Sequence, residues 1–304
     1  MTAIFTYLRE SASIIDKWLL LFCIFWASML IVLNYAFNIE SGLIKQLGTR
    51  FDQFVALFGV YCCAFIAPYW FAISRHLVTP TPTFWLLLVF SPAIFALKVS
   101  ISNPLENIFD GIWGDYWIAV TTLPFKFFVV LVILVVLHLI LPVQPGFWGV
   151  TLRNLSWKPY VLMLFAMVPL VVFASMQADF LNAYPRLKQI AYIAPYSDSW
   201  FVNVLLYEIG YGIDFVTIEL FFRGFLVIAF VRYAGASALL PMAVFYCSIH
   251  FGKPLMECIS SFFGGLILGV IAYRTRSIVG GLVVHLGIAW MMEIGGYMGN
   301  SVLK

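Results

Sequence analysis

Long apolar runs separated by short polar segments dominate the pattern of this chain. The runs lie at about 18–38, 54–74, 82–98, 116–141, 158–177, 200–232, 236–251, 255–273 and 278–298. Several contain about 20 residues, the length that an α-helix needs to cross the hydrocarbon core of a bilayer. The third and seventh runs are shorter, and the sixth is long enough to cross at a tilt. The pattern predicts an all-α, polytopic membrane bundle of about eight or nine transmembrane helices.

The composition supports a membrane protein. Of the 304 residues, 63% are hydrophobic and 10% are charged, whereas soluble domains contain about 25% charged residues. The net charge of +3 is small and no basic stripe is present, so we expect contacts with membrane lipid and none with nucleic acid. The first apolar run is too long for a signal-peptide core and no small-residue cleavage site follows it, which predicts a retained first span.

Charges in the predicted loops indicate an orientation. If nine spans alternate, one side receives Arg9, Lys17, Arg75, Arg153, Lys158, Arg232, Arg274 and Arg276. The opposite side receives the acidic loop at 103–116. The positive-inside rule then places the N-terminus in the cytoplasm. We expect the protein to lie in the bacterial cytoplasmic membrane.

The acidic residues divide the chain into two parts. In residues 18–200 they lie almost entirely in predicted loops or at span ends. After residue 200, charged and titratable side chains fall in or near the apolar runs: Glu208, Asp214, Glu219, His250, Glu257, His285 and Glu293. A charge inside a bilayer costs about 2.5–3.5 kcal/mol on insertion scales, so such a cluster indicates a functional site. We therefore expect a helper bundle in 1–199, a working core in 200–298 and a short tail in 299–304.

The segment TIELFFRGF at 217–225 contains the clearest charge pair. Glu219 and Arg223 are spaced i, i+4, so they share one helix face and can form an ion pair. Pairing lowers the cost of burying either charge. Taken alone, the pair can also serve only to fix the packing of helices.

Two histidines lie on the helices that follow. His250 ends an apolar run, and Gly252 and Pro254 break the helix after it. Glu257 begins the next helix, where the positive end of the helix dipole favours a carboxylate. His285 lies in the middle of the last run. Either histidine, considered alone, can equally be a structural residue that is hydrogen-bonded to a neighbouring helix.

Together these side chains can perform hydrolytic chemistry. A carboxylate and a histidine can activate water for attack on a carbonyl carbon, and a second histidine can stabilise the oxyanion. The same groups can instead hold a divalent metal such as zinc through His250, His285 and Glu219. Both forms stay open, because two histidines and acids fit either and no HExxH motif is present.

The motifs resemble those of the CPBP family of intramembrane peptidases, which comprises CAAX proteases and bacteriocin-processing (Abi) proteins. The family's first motif, Glu-Glu-x-x-x-Arg, corresponds to IELFFRGFL at 218–226. Its second motif, an aromatic residue four positions before a histidine, corresponds to Tyr246 and His250. Its third motif, a histidine followed by asparagine or a similar residue four positions later, corresponds to His285 and Ala289.

The resemblance covers about 200–298, a third of the chain. It implies an intramembrane endopeptidase that acts on a membrane-associated peptide or protein. In that role His250 would assist water activation and His285 would hold the oxyanion. Arg223 would fix the position of Glu219.

Two departures from the family pattern bear on this activity. Ile218 stands where the family has its first glutamate, the usual water-activating base, and Ala289 stands where it has asparagine. Glu219 or Glu257 would then have to supply the lost carboxylate.

Two other functions remain open on the sequence alone. The departures favour an inactive family member that binds a peptide, lipid or partner without cutting it. Buried acids and histidines also form proton relays in transporters. The absence of an internal repeat and of paired broken helices disfavours transport.

Overall fold

The computed structural model describes residues 2–141, 146–153 and 155–302. This part of the chain is predominantly helical and contains no strand, which confirms the predicted all-α class. Its α-helices are α1 (Thr2–Ile14), α2 (Lys17–Phe37), α3 (Arg50–Ser74), α4 (Pro82–Ser100), α5 (Gly111–Ile140), α6 (Trp157–Ala174), α7 (Ala178–Ala183), α8 (Trp200–Ile218), α9 (Val231–Ala234), α10 (Leu239–Ser248), α11 (Leu255–Thr275) and α12 (Val279–Val302).

Seven of the described helices are long and apolar enough to cross a membrane: α2, α3, α4, α5, α6, α11 and α12. The protein is therefore an integral, multi-pass membrane protein. The other two predicted spans have a different form. The run at 200–232 consists mainly of α8 and a π-helix, Glu219–Ala229. The run at 236–251 is built around α10, whose 10 residues fall short of the about 20 that a spanning helix needs.

The described residues pack into two units. The first is formed by segments of 1–100, 133–155 and 219–281, and the second by segments of 101–132, 156–218 and 282–304. The boundary predicted at residue 199 divides a helper bundle from a working core by function. It differs in kind from this division into packed units, and it stays a prediction.

Aromatic side chains fill the first unit. Phe65 of α3 lies 5.3 Å from Phe245 of α10, and Phe95 of α4 lies 5.1 Å from Phe222 of the π-helix, measured between ring centroids. Phe222 in turn lies 5.3 Å from Phe245. Such aromatic pairs contribute about 0.5–1.5 kcal/mol each beyond burial of their area. They fix the π-helix and α10 against two membrane-spanning helices.

Several loops that carry basic residues meet at one end of the first unit. The ion pairs Arg75–Asp16 and Arg274–Glu10, at 3.1 and 3.3 Å, join the start of the chain to the ends of α3 and α11. The Ser277 hydroxyl donates to the Thr151 carbonyl oxygen at 2.6 Å. Arg75 and Arg274 thus lie at the same end of the first unit, while the sorting of the other basic residues and the side of the membrane on which they lie stay predictions.

Candidate active site

The α-helical geometry changes to a π-helix at Glu219. A π-helical turn inside an α-helix frequently marks a functional position. Glu219 and Arg223 are both 0% exposed, and the Arg223 Nη1 atom lies 3.1 Å from the Glu219 Oε1 atom. The ion pair expected from the i, i+4 spacing therefore forms, and it is wholly removed from the surface.

Tyr246 connects this ion pair to His250. The guanidinium carbon of Arg223 lies 4.1 Å from the centre of the Tyr246 ring, a distance at which a desolvated cation–π contact contributes about 2 kcal/mol. The centroid of the Tyr246 ring also lies 4.8 Å from the centroid of the His250 ring. A series of direct contacts therefore runs from Glu219 to His250 within the first unit.

Two glycines make room for this series of contacts. A Cβ atom at Gly265 of α11 would lie 2.6 Å from Cδ1 of Tyr246, and one at Gly281 of α12 would lie 3.1 Å from Oε2 of Glu219. Real Cβ atoms do not approach as close as 2.6 Å, so Tyr246 packs where it does because residue 265 is glycine. Gly265 of α11 thus serves a close contact between helices.

His250 lies in the turn that follows α10. Its Nδ1 atom is 2.9 Å from the carbonyl oxygen of Tyr246. Because a carbonyl oxygen only accepts hydrogen bonds, Nδ1 carries the proton in this arrangement. The neutral imidazole then has its lone pair on Nε2, the form that can accept a proton from water.

The turn that carries His250 is held by the end of α2. The Asn34 side-chain amide donates to the Phe251 carbonyl oxygen at 2.9 Å, and the Tyr35 hydroxyl donates to the Lys253 carbonyl oxygen at 2.6 Å. The sequence analysis missed these residues. A polar Asn34 inside the first apolar run was the available signal, since polar groups inside a membrane usually have a partner.

Glu40 is a further acidic residue at this turn that the sequence analysis missed. Its carboxylate accepts a hydrogen bond from the backbone N–H of Gly252. Burial raises the pKa of Glu40 from 4.5 to about 7, although the positive charges of Lys45 and Lys253 act in the opposite direction. The carboxylate is therefore only partly ionised near neutral pH.

Glu257 lies in the first turn of α11, as the Gly–Pro break predicted. Its Oε1 atom is 3.5 Å from Nζ of Lys253, and its side chain is 17% exposed. Glu257 is thus a partly buried, paired carboxylate on the helix that follows the His250 turn.

His285 belongs to the second unit, whereas the other four candidate residues belong to the first. It lies on α12, partly buried, with its ring 4.8 Å from that of Phe215. Ala289, one turn later, is 3% exposed, and Ile218 is 8% exposed. The two positions that depart from the family motifs are therefore buried and apolar.

The acids of the second unit have contacts of their own. Glu293 accepts the backbone N–H groups of Arg186 and Leu187, at 2.8 and 3.2 Å, and so caps the 3₁₀ segment Arg186–Tyr196. Glu208 accepts a hydrogen bond from the Trp290 side chain. The role of Glu293 is thus structural, and its sequence position alone did not reveal it.

Metal ligation was the other form of chemistry that the sequence left open. Within residues 2–141, 146–153 and 155–302, no three His, Cys, Asp or Glu side chains form a group that could hold a metal ion. Coordination of a metal by His250, His285 and Glu219 stays a prediction.

The fold and these contacts define a class of protein: a polytopic, α-helical membrane protein with a buried ion pair that is connected through a tyrosine to a histidine. Residues 196–291 match the family model of the Rce1-like type II CAAX prenyl endopeptidases. The match covers about a third of the chain and confirms the resemblance predicted from the motifs. No curated protein and no solved structure matches the chain.

Proposed function

We propose that the protein is an intramembrane endopeptidase that cleaves a membrane-associated peptide or protein. The observation that carries this proposal is the contact series from Glu219 through Arg223 and Tyr246 to His250, because it combines buried charges with an imidazole in the form of a base. The family match supports the same activity, and its name makes prenylated CAAX peptides the first substrates to test.

In the proposed reaction, Nε2 of His250 accepts a proton from a water molecule as that water attacks the scissile carbonyl carbon. The hydrogen bond from Nδ1 to the Tyr246 carbonyl oxygen holds the tautomer that this step requires. The carbonyl oxygen becomes negatively charged, and we assign His285 to its stabilisation. The imidazolium then returns the proton to the leaving amine, which completes cleavage of the peptide bond.

The ion pair has a supporting role in this proposal. Arg223 neutralises Glu219 and packs on Tyr246, the residue whose carbonyl oxygen orients His250. A carboxylate that assists water activation would be Glu219 or Glu257. Glu219 is fully buried and paired with arginine, whereas Glu257 is partly exposed and paired with lysine, so a proton or water can reach Glu257 more readily.

A cleavage assay tests the proposal directly. The purified protein in lipid nanodiscs is incubated with a fluorogenic farnesylated peptide that ends in a CAAX sequence, and the products are identified by mass spectrometry. General acid–base catalysis contributes roughly 10²–10⁴-fold, so His250→Ala and His285→Ala should each lower kcat/KM by about 100-fold or more. Glu219→Gln and Glu257→Gln separate the two carboxylates.

His76→Asn is the matched control. His76 is exposed in the turn after α3 and has a φ of 57°, which asparagine tolerates. Its activity should equal that of the wild type. Full activity of both active-site histidine variants would overturn the proposed roles.

An inactive, binding member of the family is the second candidate function. The buried Ile218 and Ala289, in place of the motif glutamate and asparagine, favour it. In that case the farnesylated peptide would bind saturably to the wild type, and no product would appear at any enzyme concentration.

A further inference from the structure

The turn between α10 and α11 has an unusual support on its α2 side. Asn34 is 3% exposed, and its side chain forms two hydrogen bonds. Its amide nitrogen donates to the Phe251 carbonyl oxygen, and its side-chain oxygen accepts a hydrogen bond from the Glu40 backbone N–H at 3.1 Å. The Tyr35 hydroxyl holds the Lys253 carbonyl oxygen. The start of the Ile39–Ile44 π-helix is thereby fixed against the turn that contains His250.

The Glu40 carboxylate approaches this turn closely. It accepts the Gly252 N–H, and a Cβ atom at Gly252 would lie 3.0 Å from Oε1 of Glu40. Gly252 follows His250 by two residues, so their Cα atoms are separated by at most about 7 Å. A carboxylate from the N-terminal part of the chain thus lies near the imidazole.

We propose that Glu40 is a positioning residue of the candidate active site, which holds the His250 turn through Gly252 and places a negative charge beside that turn. The catalytic part of this inference rests on the proposed peptidase function. The contacts between Glu40 and the turn do not depend on it.

A negative charge near an imidazole favours its protonated form. An interaction of about 1.4 kcal/mol between the two charges would change the proton affinity of the imidazole tenfold. Glu40 would therefore make His250 a stronger base for water. This is the contribution that a neighbouring carboxylate makes to a histidine, without direct contact with the substrate.

The groups that face Glu40 determine when its charge is present. These groups are Lys45, which follows the π-helix that contains Glu40, Lys253 of the turn, Tyr61 of α3 and Cys258 of α11. Burial outweighs the two lysines, so the pKa of Glu40 is raised to about 7. The negative charge is present above that pH and is lost as the pH falls through it.

Glu40→Gln tests the charge, because glutamine keeps an oxygen that can accept the Gly252 N–H. With the farnesylated CAAX peptide, we expect kcat to fall by a factor of up to about ten while KM stays within about twofold. We also expect the acidic limb of the pH–rate profile to move to lower pH. Glu40→Asp, which keeps the charge, should recover part of the rate. Glu106→Gln, at an exposed position of the second unit, should match the wild type.

A second readout does not need cleavage. The chain contains four histidines, so its ¹³C-histidine spectrum is simple and His250→Gln assigns one signal. In the Glu40→Gln protein, the midpoint of the His250 titration should move to lower pH by less than one pH unit, because Glu40 is only partly ionised where an imidazole titrates. An unchanged midpoint with unchanged kcat would overturn the inference.

These two readouts separate the possible failures. If the wild type does not cleave the peptide, the peptidase proposal fails, while the titration still decides whether Glu40 acts on His250. If Glu40→Gln does not yield a folded protein, Gly252→Val gives the same test, because its Cβ would lie 3.0 Å from Oε1 of Glu40 and its two methyl groups would displace the carboxylate. Normal kcat and an unshifted titration in that folded variant would equally refute the role of Glu40.

Discussion

Removing one charge of the buried Glu219–Arg223 pair should destabilise the protein strongly, because the other charge stays buried without its partner. The two single losses of stability should therefore add up to more than the loss caused by removing both charges. The two charged groups are 3.1 Å apart. With an effective dielectric constant of about 20, their attraction is about 5 kcal/mol. This value agrees with the roughly 3–5 kcal/mol lost when one partner of a buried ion pair is removed.

We therefore expect Glu219→Gln and Arg223→Met each to lower the free energy of unfolding by about 3–5 kcal/mol. Arg223→Met also loses the contact with the Tyr246 ring. The double variant leaves no unpaired buried charge, so its loss should be smaller than the sum of the single losses by about 2 kcal/mol or more. Equilibrium unfolding in mixed detergent micelles, followed by circular dichroism, measures all four proteins of this cycle.

The Arg75–Asp16 pair provides a matched control at a more exposed position, because the Arg75 side chain is 38% exposed. Its double-mutant cycle should show a much smaller coupling. Additive losses at Glu219 and Arg223, or single losses below about 1 kcal/mol, would refute the argument that this ion pair is buried and unscreened.

The remaining predictions use the same unfolding assay. Gly265→Ala should destabilise the protein by about 1–3 kcal/mol, because its Cβ would meet Tyr246. A Cβ at Gly264 would have no neighbouring atom within 4 Å, so Gly264→Ala should cost less. Equal losses of stability in the two variants would contradict this packing. Glu293→Ala should lower the free energy of unfolding by about 3 kcal/mol or more, because it removes two hydrogen bonds to a charged acceptor. Glu293→Gln should lower it less. An alanine variant as stable as the wild type would disprove this role of Glu293. Folding favours protonated Glu40, since its pKa is raised from 4.5 to about 7. Stability should therefore fall by at most about 3 kcal/mol as the pH rises through that interval. Glu40→Gln should remove this slope, and an unchanged slope would show that another group causes it.

Sequence pattern predicted the features that depend on neighbours along the chain. The apolar runs indicated the helical class, the i, i+4 spacing indicated the Glu219–Arg223 ion pair, and the Gly–Pro break placed Glu257 at the start of a helix. Each of these results from local geometry, because helical period, side-chain spacing and backbone breaks are properties of a few consecutive residues.

Contacts between distant parts of the chain were not predictable in this way. Asn34 and Phe251 are 217 residues apart, and no local pattern links them. The same reason applies to Glu293, whose hydrogen-bond partner Arg186 is 107 residues away. The change to a π-helix at Glu219 was also missed, since an apolar helical pattern does not distinguish i→i+4 from i→i+5 hydrogen bonding.

The bond between Asn34 and Phe251 also affects how the protein is made. A ribosome completes the first membrane span more than two hundred residues before it adds the carbonyl groups that Asn34 and Tyr35 bind, at distances of 217 and 218 residues along the chain. A nascent chain that stops before residue 251 exposes the polar end of α2 without these acceptors. Until the turn between α10 and α11 is made, the Asn34 amide and the Tyr35 hydroxyl therefore lack the acceptors that they bind in the finished protein.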